Sequence, residues 1–232
     1  SSSEYHYVLG LYACMKEFAL FILMSNYEEL EKWSAIANSI EYIKGFCIYG
    51  LHCAIRPLIM LTLMRSKNNT EYLEEVHKCI AILKKRAERC PSNFESLYFL
   101  VIAELEFFEA IVVHDDINIK EASLWKAAEY YDKSIEKSIE SDFPHFAAIA
   151  NELAAKFYLY CKRTQLAKFY MHKAVHFYKS YGATNKVVQL ETRYGVLLRF
   201  QQSPQRQSAQ ENDNARQNKE EKTQSFTTNT FV

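Results

Sequence analysis

Five glycines and four prolines in 232 residues leave this chain almost without backbone punctuation. That is roughly a third of the ~12% share these two residues usually take together. A β-sandwich or barrel needs them at many turns, so an all-β fold is excluded. Phosphate-cradling α/β folds rely on glycine-rich turns, and no such turn occurs here. Hydrophobic residues make up 49% and charged residues 24%, enough apolar content for a core of ordinary size. The remaining reading is all-α. Lys plus Arg number 28 and Asp plus Glu also 28, a balance that argues against nucleic acid as the partner.

Apolar residues recur at helical spacing along about nine segments. They run Tyr5–Met24, Tyr27–Lys44, Tyr49–Met64, Glu71–Arg89, Ser92–Val113, Ile119–Glu140, Pro144–Tyr160, Gln165–Tyr181 and Asn185–Phe200. Ser25-Asn26 breaks the first from the second, and Gly45 ends the second. Pro57 bends or restarts the third. Thr70 is a candidate N-cap, and Ser92-Asn93-Phe94-Glu95 reads as a capping box. Pro144 suits a first-turn position, and Gly182 suits a left-handed helix end. Residues 201–232 are rich in Gln, Asn, Ser and Thr and are expected to be a disordered tail or interdomain linker. Domain boundaries are therefore set at 1–200 and 201–232.

Short connections imply antiparallel neighbours, and an internal repeat supports a stack of such pairs. Ala127, Tyr130 and Lys133 recur forty residues later as Ala167, Tyr170 and Lys173. Tyr131 with Met171, and Ser134 with Ala174, keep residue size at the same offset. Asn151, Ala154, Ala155 and Tyr158, followed by Ala167-x3-Met171, are similar in outline to the tetratricopeptide pattern. The resemblance implies an antiparallel helix-pair, tetratricopeptide-like solenoid. Its peptide-taking face would carry Ile149, Glu152, Lys156 and Tyr160. The Lys and Asn residues that clamp a peptide carboxylate are not evident on it.

Two longer stretches resemble a signalling family. One is Cys90-Pro91-Ser92-Asn93-Phe94 with Tyr98-Phe99-Leu100-Val101-x-Ala103-Glu104-Leu105. The other runs from Phe143-Pro144-His145 through Ala150-Asn151-Glu152-Leu153-Ala154-Ala155 to Tyr181-Gly182-Ala183. Both are similar to the helical-repeat region of fungal-type multidomain hybrid histidine kinases, which combine a kinase-like domain, an AAA-type ATPase, a GAF domain and a histidine kinase. The resemblance implies a non-catalytic fragment that regulates a phosphorelay through contacts with neighbouring domains or protein partners. A stand-alone adaptor of the same fold is the alternative.

The chain carries no kinase Gly-rich loop, no H-R-D or D-F-G signature and no Walker A sequence. No catalytic residue and no cofactor is assigned. His172 and His176 share a helix face, but Lys173 stands where a metalloprotease helix needs Glu, so no metal is assigned either. Asp115-Asp116 reads as a helix-end loop. The six cysteines lack a C-x-x-C pair and read as reduced thiols in a cytoplasmic protein. Residues 45–64 form the one candidate membrane span, and His52 and Arg56-Pro57 near its centre argue against insertion. No membrane is expected as a partner.

Overall fold

A computed structural model describes residues 2–23, 27–39 and 47–199. Its described residues are helical, joined by short turns, with no strand among them. The helices are α1 (Ser2–Leu23), α2 (Tyr27–Ser39), α3 (Cys47–Lys67), α4 (Leu73–Arg89), α5 (Pro91–Phe108), α6 (Ile117–Glu140), α7 (Pro144–Tyr160), α8 (Thr164–Ser180), α9 (Thr184–Arg193) and α10 (Gly195–Leu198). A π-helical stretch, Glu109–Val113, follows α5. The all-α reading stands. The compact unit closes at Leu197. The expected tail at 201–232, the break at Ser25-Asn26 and the stop at Gly45 lie outside the described residues.

Each helix packs against the next in the chain from α1 to α9, and α1, α3, α5 and α7 also touch in series. The cause of this regularity is visible in the turns. Asp142, Lys162 and Gly182 follow α6, α7 and α8 at a spacing of 20 residues, and all three have positive φ (55°, 57° and 82°). In each turn the next amide reaches five residues back. Phe143 N–H donates to Ser138 O at 2.9 Å, Arg163 N–H to Tyr158 O at 2.9 Å, and Ala183 N–H to Tyr178 O at 2.9 Å. This left-handed closure satisfies the last carbonyls of each helix and reverses the chain. Asn68 (φ 50°) makes the same turn after α3, with Asn69 N–H on Met64 O.

The forty-residue offset marks matched core positions. Ala127 and Ala167, Tyr131 and Met171, and Ser134 and Ala174 are all buried. Ile135 with Val175, and Ser138 with Tyr178, extend the match on the same stripe. Tyr130 and Lys133 fall beside that stripe.

Several boundaries differ from the sequence reading. α3 runs unbroken through Pro57, because neighbouring helices bury the turn around it: Cys53, Ala54, Ile55 and Leu58 are core residues. The fourth helix begins at Leu73, capped by Tyr72 rather than Thr70. Pro91 takes the first-turn position of α5 and Cys90 the cap, so Ser92 is already inside the helix. Among the described residues, the first helix rather than α3 is long and apolar enough to cross a membrane. Tyr5–Leu23 has a mean hydropathy of 1.3, and one third of that window is buried against its neighbours.

The ends of the array also meet. Lys186 of α9 donates to Ile22 O at 2.6 Å, and Gln189 Nε2 to Leu23 O at 2.5 Å. These carbonyls end α1 and have no partner within their own helix. A lysine at that negative helix end is electrostatically favourable.

Candidate functional site

The most densely built polar site lies in α7, and small residues put it there. Ala147, Ala148, Ala150, Ala154 and Ala155 have no solvent exposure, which lets α8 approach with its own buried Ala167 and Ala174. Burial on nearly all sides of α7 encloses one carboxylate, Glu152, at 3% exposure. It accepts from Lys156 Nζ at 2.7 Å, Lys186 Nζ at 3.0 Å and the Tyr178 hydroxyl at 2.8 Å. Lys186 also donates to Gln189 Oε1 at 2.9 Å, so with Ile22 O all three of its donors are used.

Burial pushes the Glu152 carboxyl up, but the two ammonium groups and the hydroxyl outweigh it and hold the carboxyl below its usual range. Lys186 is lowered, first by burial and then by Lys156, against the opposing pull of Glu152. Glu152 is lowered because two ammonium groups face one carboxylate, and Lys186 is lowered because its burial outweighs the pull of that carboxylate.

Of the four residues assigned to a peptide-taking face, Ile149 and Glu152 are buried. Glu152 is occupied by the chain's own Lys186. Lys156 is half-buried, and Tyr160 is exposed with its ring edge-on to Phe107 at 5.2 Å. Only Lys156 and Tyr160 therefore present surface. His172 is half-buried and His176 exposed, and no third donor joins them among the described residues. Asp116 is an N-cap: its carboxylate accepts from Asn118 N at 2.8 Å and Ile119 N at 3.2 Å, opening α6.

Three further polar links were missed from sequence. Glu104 of α5 accepts from Arg65 of α3 and from the Tyr131 hydroxyl of α6. Arg56 of α3 grips Glu75 of α4 at 2.7 and 2.9 Å and Ser34 of α2 at 2.8 Å. Glu17 of α1 meets His52 of α3 at 2.6 Å. The available signal was an acid in an otherwise apolar helix, as with Glu17 between Ala13 and Phe21 and Glu104 between Ala103 and Leu105. Such a residue needs a buried partner. Arg56 and His52, the residues that argued against a membrane span, are two of those partners.

Among the described residues, an uncovered apolar stripe lies on α1. Tyr5, Val8, Tyr12 and Met15 are exposed along the side opposite buried Ala13, Cys14 and Glu17. Their spacing follows a helical stripe.

A stretch of 58 residues is 38% identical to hybrid signal transduction histidine kinase G of Dictyostelium discoideum. It covers 25% of this chain and 2% of that protein, so the chain spans a small part of the relative it matches. No family model matches the chain, and no solved structure does. The similarity links this chain to hybrid histidine kinases over a quarter of its length.

Proposed function

We propose that this chain is a non-catalytic helical-repeat module of a multidomain signalling histidine kinase, acting through protein contacts rather than chemistry. The 58-residue similarity to a hybrid histidine kinase carries this reading. The forty-residue match between α6 and α8 supports a tetratricopeptide-like pair arrangement within it. The Tyr5–Met15 stripe is the contact surface, and its occupant is a neighbouring helical segment of the same polypeptide, since the relative is far longer than the matched piece. The Lys156–Tyr160 end of α7 is a second, smaller surface for a protein partner. Cys14, Cys53, Cys79, Cys90 and Cys161 form no disulfide among the described residues, which fits a reducing, cytoplasmic setting.

Deleting residues 1–200 from the full polypeptide tests the proposal. Histidine autophosphorylation is expected to persist while its rate changes. Phosphorylation by residues 1–200 alone, or a deletion without any effect on rate, contradicts it.

A further inference from the structure

We propose that Cys14, Glu17 and His52 form a site for one zinc-class divalent ion, buried between α1 and α3. The three side chains are 3%, 1% and 2% exposed. One ligand atom from each, the Cys14 Sγ, a Glu17 carboxylate oxygen and a His52 ring nitrogen, lies within 4.8 Å of the other two. Cys14 and Glu17 are three apart on α1, hence on one face. His52 approaches from the facing helix.

Two orphaned atoms point to a missing ligand. Glu17 Oε2 is engaged with His52 Nδ1, but Glu17 Oε1 and His52 Nε2 are buried without a hydrogen-bond partner. Buried polar atoms left without a partner are costly to the fold. Thiolate, imidazole and carboxylate together exclude the hard cations, which take oxygen donors, and suit zinc. Bonds of about 2.0–2.3 Å place tetrahedral donors about 3.3–3.7 Å apart. Seating the ion replaces the 2.6 Å Glu17–His52 contact, whose atoms move apart to that spacing, while Cys14 Sγ closes on them from within 4.8 Å.

A Zn²⁺ ion, a Cys14 thiolate, a Glu17 carboxylate and a neutral His52 sum to zero charge, the condition for burying an ion. Binding sends the Cys14 proton to solvent. A cavity of about 200 Å³ has His52 in its wall, beside Cys53 and Cys79. Sequence reading passed over this cluster because its members come from positions 14, 17 and 52.

The test is cobalt(II) titration of the full chain after chelation, with zinc competition. One equivalent is expected to bind with sulfur-to-cobalt charge-transfer absorption, and zinc is expected to displace it and raise Tm. C14S should lose the charge-transfer band, and H52Q should lose stoichiometric binding, each with helical circular dichroism retained. H176A should bind like the parent chain. Should either site variant unfold, the zinc-dependent Tm of the parent chain still decides. Binding without a sulfur band, or a Tm indifferent to zinc, overturns the site. An ordered water bridging Glu17 Oε1 and His52 Nε2 in a zinc-soaked crystal does so as well.

Discussion

The two ends of the helical array solve the same packing problem differently. From α6 to α9, three turns of one geometry at 20-residue spacing set the helices, and alanines let them close. From α1 to α4, the helices are tied by side chains: Glu17 to His52, and Arg56 to Glu75 and Ser34. The first solution writes a periodic pattern into the sequence. The second depends on pairs far apart in the chain and leaves no pattern. It also leaves α1 with an open apolar side, whereas α7 is enclosed.

The sharpest way to break the contrast is at Glu152, which belongs to the regular half yet binds the end of α1 through Lys186. Glu152→Ala leaves that lysine buried with only neutral acceptors, and about 3–5 kcal/mol of stability should be lost in urea unfolding. A loss below about 1 kcal/mol would mean that the polar link is incidental. Ala174→Leu forces an added side chain between α7 and α8 and should cost about 1–3 kcal/mol or more. Tyr131→Phe strips a donor from buried Glu104 and should cost about 1–3 kcal/mol.

A pH profile sharpens the same point. Glu152 has a lowered folded-state pKa, so its contribution is complete above about 4.5 and fades as pH falls through the folded value. The stability gap between the parent chain and Glu152→Gln should therefore narrow below pH 4.5, followed by circular dichroism. The smallest effect is expected on α1. Val8→Ser with Met15→Ser should change stability in urea unfolding by no more than about 0.5 kcal/mol per site.

Legibility followed the same division. Ala127 and Ala167, Pro144 at a first-turn position, and Gly182 at a helix end were all readable, because local rules fix them. Asp142 and Lys162 were not, since neither residue type announces positive φ. Their equivalence to Gly182 shows only in three dimensions. The assignment of Ile149 and Glu152 to an open face was made from helix position alone. The residue that occupies Glu152, Lys186, lies 34 positions beyond it. The meeting of α1 with α9 spans 164 residues and has no local signature.

The most direct test of the account is to sequence the transcript across both ends of this segment. Histidine-kinase catalytic sequence in the same reading frame is the predicted result, and it would place these helices inside a signalling polypeptide. A start codon just before Ser1 and a stop just after Val232 would contradict that and leave a free-standing adaptor.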